Sequence, residues 1–192
     1  MSIGTYKITT RNLMAKGWSS LWQIKVDARL RNGTQVELDR EVADHGHGAA
    51  ILPIDKRRGM VLLVRQWRAG AAFTGHQGWL IEACAGLLDA DDPIGCAKRE
   101  AFEELGTNVH NIKHLCDCFS SPGAVSEKIS LFIADYHLAD RVNPGGGLDA
   151  EHEDIEVIEM PLQDAYGLIA NGGIMDAKTI ILLQHAILNV HV

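Results

Sequence analysis

The segment AGLLDADDPIGCAKREAFEELG, Ala85 to Gly106, decides how this chain is read. It encodes a helix with a marked beginning and end. Asp91 or Asp92 can cap it, and Pro93 suits its first turn, where a missing N–H costs nothing. Gly106 suits the left-handed residue that stops it. Between these marks Glu100, Glu103 and Glu104 lie three and four residues apart, so they share one face. They sit toward the C-terminus, where the helix macrodipole disfavours negative charge, and each like-charge pair costs roughly 0.2–0.5 kcal/mol. Arg99 can offset Glu103 at the four-residue spacing, which leaves Glu100 and Glu104 for another role. Oxygen ligands of this kind suit a hard divalent cation such as Mg²⁺. The pattern predicts a helix over 93–105 with Ile94, Ala97, Ala101 and Leu105 toward the core.

Working outward, the first half reads as strands. Residues 18–30 alternate in part, Arg31-Asn32-Gly33 signals a hairpin turn, and 35–42 is the return strand. Further strands are expected at 49–54, 60–67 and 80–83, and beyond the helix at 115–119, 129–136 and 155–160. Residues 141–150 form a loop containing Gly145-Gly146-Gly147. Pro161 opens a helix as its first-turn residue, running to Ala170, and Asn171-Gly172-Gly173 stops it. Asp176 caps a last helix whose apolar surface runs nearly all round, which predicts burial or an interface. Strands and helices intermixed with hairpins imply a mixed α/β class.

The length of 192 residues suits one domain with a real core. A hydrophobic fraction of 46% and a charged fraction of 22% are ordinary for a soluble globular protein. The net charge is −7 with no basic run, which argues against nucleic acid or an anionic membrane as the main partner. The N-terminal stretch lacks the apolar core of a signal peptide, and the greasiest run, 179–190, falls short of the roughly 20 residues that span a bilayer. Cys84, Cys96, Cys116 and Cys118 form no C-x-x-C pair, so they read as reduced thiols of a cytoplasmic protein rather than a zinc site.

The central segment resembles the Nudix box, G-x5-E-x7-R-E-U-x-E-E-x-G-U with U a bulky apolar residue. Gly86, Arg99, Glu100, Ala101, Glu103, Glu104 and Gly106 fall on it. The stretch from Gly86 to Arg99 is one residue short, an Asp (Asp91 or Asp92) replaces the first Glu, Ala101 is small for its position, and Thr107 replaces the last apolar residue. Most of the chain, from about Trp18 onward, resembles the GDP-mannose pyrophosphatase branch of the Nudix hydrolases, close kin to the ADP-ribose pyrophosphatases. That branch shares the shortened box. The matching segments are Arg40-Glu41-Val42, VLLVRQWR at 61–68, LIEACAGLLD at 80–89, SPGAVSE at 121–127, the glycines 145–147, EDIEVIEMP at 153–161 and DAKTIILLQ at 176–184. The resemblance implies a Nudix fold: a mixed β-sheet sandwiched between helices (45–192), with a β-rich N-terminal portion (1–44) that pairs with a second subunit and contacts substrate.

It also implies roles. Metal ligands would be the Ala85 carbonyl, Glu100, Glu104 and Glu153, holding Mg²⁺, with Mn²⁺ as an alternative. Glu103 would ligate the cation or orient a ligand, with Arg99 beside it. Glu153 or Glu127 would activate the water, with His152 or Glu151 next to Glu153 on the ligand. Arg68 would meet the pyrophosphate, with Arg65 its competitor, because the planar guanidinium fork suits phosphate. Ala85, Gly86, Glu104 and Lys178 would also touch substrate. Asp39, Arg40 and Glu41 would reach the nucleotide portion, with Trp18 as a stacking partner. His45 and His47 flank a glycine without a third ligand nearby in sequence and receive no role. The activity implied is cleavage of a nucleoside diphosphate sugar, GDP-mannose first, by a cytoplasmic homodimer. The alternatives are ADP-ribose as substrate, or a Nudix-fold nucleotide-binding module without turnover. Retention of all three box glutamates speaks against the module.

Overall fold

A computed structural model describes residues 3–88, 92–148, 150 and 152–189. Asp89, Asp91 and Glu151, named above, lie outside the described residues. The backbone forms two compact units, one comprising Met1–His47 with Phe119–Lys128, the other Gly48–Cys118 with Ile129–Val192.

The first unit is built on a three-stranded antiparallel sheet in the order β1-β2-β3, with β1 at Thr5–Lys16, β2 at Ser20–Arg29 and β3 at Gln35–Asp44. The β2–β3 turn falls at the predicted glycine, Gly33, whose φ is +89°. β1 was not anticipated, although Tyr6, Ile8 and Thr10 alternate with Thr5, Lys7 and Thr9 as a strand should. The segment 119–128 joins this unit through β3. Ala43 N–H donates to the Ala124 carbonyl (2.8 Å), Ser126 N–H to the Ala43 carbonyl (3.0 Å), and the Ser126 hydroxyl to the Asp44 carboxylate (2.6 Å).

The second unit is a seven-stranded mixed sheet. Its main path runs β10 (Glu156–Pro161), β5 (Met60–Trp67), β4 (Gly48–Asp55), β9 (Lys128–Asp135) and β8 (His110–Phe119). β6 (Trp79–Glu82) pairs with β5, and β7 (Cys84–Leu87) pairs with β4. The β4–β9 pair is parallel, while β4–β5, β5–β6, β4–β7 and β5–β10 are antiparallel. β4 and β5 are continuous apolar runs because both their faces are covered. Ala50, Leu52, Ile54, Val61 and Leu63 join one cluster with residues of α3 (Leu162–Ala170) and α4 (Ala177–Asn189). Their alternates Ala49, Ile51, Leu62 and Val64 join the other, with Ala97 and Ala101 from the central helix α2 (Pro93–Glu103) and Leu105 just beyond it. Successive strand residues point to opposite faces, so two strands hold helices on both sides. Cys116 and Cys118 both pack on the α3–α4 cluster, and the four cysteines form no disulfide among the described residues.

Three local readings are corrected. Ile94 is 45% exposed, because it lies at the rim of the buried stripe in the first turn of α2, and Cys96 is buried in its place. Pro161 keeps an extended ψ of 138° as the last residue of β10, so α3 starts one residue later. A five-residue helix, α1 (Ala69–Phe73), was not anticipated; no apolar period marks so short an element.

The glycine that ends α2 is also a close-contact point. Gly106 has φ +66°, its N–H donates to the Phe102 carbonyl, and a Cβ there would lie 2.1 Å from the Asn143 carbonyl oxygen. Gly172, with φ +77°, has nothing within 4 Å of such a Cβ. Gly172→Ala should therefore cost only the left-handed strain, about 1–2 kcal/mol. Gly106→Ala should cost distinctly more, measured by urea unfolding; equal losses would show that the 141–146 loop yields freely.

Candidate active site

Helix α2 is set by its two ends. Asp92 accepts hydrogen bonds from the N–H groups of Ile94 (2.9 Å) and Gly95 (2.8 Å), so it is the residue that caps it. At the other end Gly146 N–H donates to the Glu104 carbonyl (2.8 Å) and Gly147 N–H to the Glu103 carbonyl (3.2 Å). The triple-glycine loop thus satisfies carbonyls that a helix end leaves open. Its three positive φ values, +70°, +110° and +82°, explain why glycine is needed three times.

The buried stripe of α2 comprises Cys96, Ala97, Glu100 and Ala101 within the helix, continuing to Glu104 and Leu105. Glu100 (8% exposed) and Glu104 (2%) therefore occupy the middle of the core-facing surface. Both meet the strand that precedes them. Ala85 N–H donates to the Glu104 carboxylate (3.2 Å). Gly86 leaves room for Glu100, since a Cβ there would stand 1.9 Å from Glu100 Oε1. The glycine that opens the motif is a cradle for the motif's own acid.

Arg99 pairs with Glu103 (3.0 Å), as its spacing suggests, and also with Glu100 (2.8 Å). Glu100 is thus not left wholly unpaired by Arg99, contrary to the simple spacing argument. Glu104 makes no ion pair among the described residues. Burial raises the pKa of Glu100 to about 7; the Arg99 charge opposes the rise, while Glu103 and Glu153 add to it. Burial likewise raises Glu104 to about 7, against hydrogen bonding from Cys84 and with the charges of Glu100 and Glu153 adding. Cys84 is pushed up in turn by burial and by Glu104.

Glu153 belongs to the same acidic locus, since its charge acts on both buried glutamates. One of its oxygens accepts from Leu148 N–H (2.9 Å), and a Cβ on Gly147 would stand 2.3 Å from that oxygen. His152 has φ +56° and is exposed. Among the described residues no three Asp, Glu, His or Cys side chains gather at metal-ligand spacing. The donors that converge are two buried carboxylates, with a main-chain segment against them. Hard oxygen donors, desolvated and without full compensation, fit a divalent cation.

Beside this locus lies a network that joins two of the expected residues, Arg68 and Lys178, through Glu82, which is not among the expected ones. Arg68 binds Glu82 through two parallel bonds of 2.9 Å. Lys178 also binds Glu82, and reaches Asp176 at 3.0 Å. Glu82 is 1% exposed, and its only sequence signal is a charge inside the apolar run LIEACAG. Arg65 instead pairs with Glu156 of the neighbouring strand β10 (2.6 Å) in an exposed position, so it does not share the Arg68 environment.

The remaining expected residues lie in the first unit. Asp39, Arg40 and Glu41 are exposed on β3, and Arg40 donates to the Asp39 carbonyl. Trp18 is 80% exposed and stacks on His45, with centroids 4.9 Å apart. His45 approaches Glu127 at 3.4 Å, and His47 accepts from Lys128 N–H. The two histidines given no role thus brace Trp18 and the 119–128 segment.

The family model that matches is the NUDIX domain, over residues 44–183. The chain belongs to the Nudix family. Among its relatives, the GDP-mannose pyrophosphatase of Pectobacterium atrosepticum is 43% identical over 182 residues, covering 94% of this chain and 93% of that protein. The protein of the same name from Cronobacter sakazakii is 44% identical, covering 90% of each chain. That of Yersinia pestis is 42% identical, covering 91% and 87%. A solved structure described as an ADP compounds hydrolase superposes with a TM-score of 0.74 over 100% of both chains at 17% identity, which shows the same Nudix fold. No helix among the described residues is long and apolar enough to cross a membrane.

The raised pKa values make a stability prediction for the metal-free protein. A carboxyl whose folded pKa is about 7, against an ordinary 4.5, binds extra protons in the folded state between those values. Stability therefore falls as pH rises through that window. Glu104→Gln removes the charge, so at about pH 8 the metal-free variant should melt above the metal-free wild type, the gap closing toward about pH 5. Thermal melts in chelator across that range check this; a wild-type melting point flat in pH and never below the variant's would contradict it.

Proposed function

We propose that the chain hydrolyses the pyrophosphate bond of a nucleoside diphosphate sugar, with GDP-mannose giving GMP and mannose 1-phosphate. The observation that carries this reading is the unexplained burial of Glu100 and Glu104 within a Nudix box. Relatives 42–44% identical along nearly the whole chain bear the name GDP-mannose pyrophosphatase, which supports the substrate.

The Ala85 carbonyl, Glu100, Glu104 and Glu153 would hold Mg²⁺, or Mn²⁺ in its place. The cation would supply charge neutralisation at the phosphate oxygens and polarise the anhydride. The chain's own residues do the rest. Arg99 restrains Glu100 and Glu103 by pairing with both. Glu153, with one oxygen held by Leu148 N–H, has its other oxygen to take the proton from the attacking water. Glu127 is the competing base, braced by His45. Arg68 and Lys178 face the charge that develops on the phosphates, and Ala85, Gly86 and Glu104 border the same substrate. Trp18 stacks on the base and Asp39, Arg40 and Glu41 reach the nucleoside. His152 sits beside Glu153 on the ligand.

We also read the working form as a cytoplasmic homodimer that binds neither nucleic acid nor membrane. Its net charge of −7 disfavours polyanionic partners. The N-terminal sheet exposes Tyr6, Ile8, Leu13 and Met14, an apolar surface that a second copy would cover. Sedimentation should give twice 21.0 kDa; a mass of one chain would refute the dimer.

The deciding experiment is a panel of GDP-mannose, ADP-ribose, ADP-glucose and dinucleotide polyphosphates with Mg²⁺. GDP-mannose should give the highest kcat/KM, with GMP as product. Faster turnover of ADP-ribose would replace the substrate assignment, and no turnover of any would leave a binding module.

A further inference from the structure

Glu82 is the most enclosed charged side chain beside the acidic locus, and no catalytic role above uses it. It ends β6, opposite Val64 of β5. Arg68 follows β5 and has the same strand parity as Val64, so its side chain lies on the face of Glu82 and reaches back along the ladder. Lys178 approaches from the first turn of α4, held by Asp176. The side chain of Glu82 is 2% exposed and that of Lys178 10%, while Arg68 keeps 39%. The carboxylate of the network is therefore sealed, Lys178 keeps a small exposed remnant, and the guanidinium is open.

A buried ion pair is a weak reason for stability, since apolar residues of similar volume commonly serve as well. Four charged groups in one place call for another explanation. Two further observations bear on it. The Glu104 carboxylate acts electrostatically on Arg68, so the guanidinium lies near the acidic locus. The chain between them is also tied down: Ala83 N–H donates to the Thr179 hydroxyl (2.7 Å) and Ala85 N–H to Glu104.

We propose that Glu82 is a positioning residue whose sealed carboxylate clamps Arg68 and Lys178 side by side, so that both cations are fixed for the phosphates of a nucleotide sugar before it binds. The proposal rests on the hydrolase reading above and adds to it the residue that sets its phosphate-binding edge. Arg and Lys are long and rotamer-rich, and immobilising them in advance removes an ordering cost from binding. The forked geometry also dictates which donors of Arg68 remain for a ligand, because Nε and Nη2 are engaged.

The test compares wild type, Glu82→Gln, Glu82→Asp, Arg68→Ala and the Glu82→Gln/Arg68→Ala double variant, with GDP-mannose and Mg²⁺. Glu82→Gln should raise KM about tenfold or more while leaving Mg²⁺ affinity of the substrate-free protein within about twofold. In the Arg68→Ala background the same change should have a much smaller effect. Glu82→Asp keeps the charge that buried Lys178 requires but shortens the reach to Arg68, so it should fold and still raise KM. Wild-type KM in either folded Glu82 variant, or an undiminished effect without Arg68, overturns the proposal. Should both variants fail to fold, the wild type decides: the Arg68 Nε–H resonance, assigned by its loss in Arg68→Lys, should be slow to exchange without substrate. An Nε–H averaged with solvent overturns the proposal. A wild type inert toward every nucleotide sugar overturns the functional reading, and this proposal with it; wild-type turnover with unchanged KM in folded Glu82→Gln overturns the positioning alone.

Discussion

Two carboxylates in the middle of a helix's core-facing stripe set the terms for everything around them. Glu100 and Glu104 are 8% and 2% exposed, they repel each other, and one cation, Arg99, is shared between Glu100 and Glu103. Burial on this scale is costly for ionised groups unless they are paired. The metal-free protein meets the cost by raising both pKa values to about 7. A bound dication would meet it by direct neutralisation. The same feature that weakens the metal-free site would therefore give a cation-loaded site its affinity.

The surrounding fold holds those carboxylates in place. β4 and β5 are buried on both faces, so α2 is pressed against one side of the sheet while α3 and α4 brace the other. Glycines appear where backbone must pass close to the acids: Gly86 beneath Glu100, Gly147 beside Glu153, and Gly106 against the loop that caps α2. The loop hydrogen bonds from Gly146 and Gly147 to α2 couple the position of Glu153 to that of Glu103 and Glu104. Substitutions at these glycines would displace the acids before they changed any chemistry.

The helix and its punctuation were legible because the signals are local: a capping Asp, a proline in the first turn and a terminal glycine lie within one segment. The apolar runs of β4 and β5 were legible for the same reason. Other features depend on partners distant in sequence. Glu82 acquires its meaning from Arg68 and from Lys178, the latter 96 residues away. Ile94 was misplaced because the buried stripe centres on the glutamates, which an apolar pattern does not count. His45 looked unremarkable until the fold set it between Trp18 and Glu127. β1 carries a weak signal because its sheet leaves most of its residues exposed, which blurs the apolar alternation.

The most direct measurement is a crystal structure of the wild-type protein soaked with Mg²⁺ and GDP-mannose. The account predicts a cation with carboxylate oxygens of Glu100 and Glu104 at about 2.0–2.1 Å, adjoining the pyrophosphate. Nucleotide sugar bound with both carboxylates turned away from any cation would contradict it.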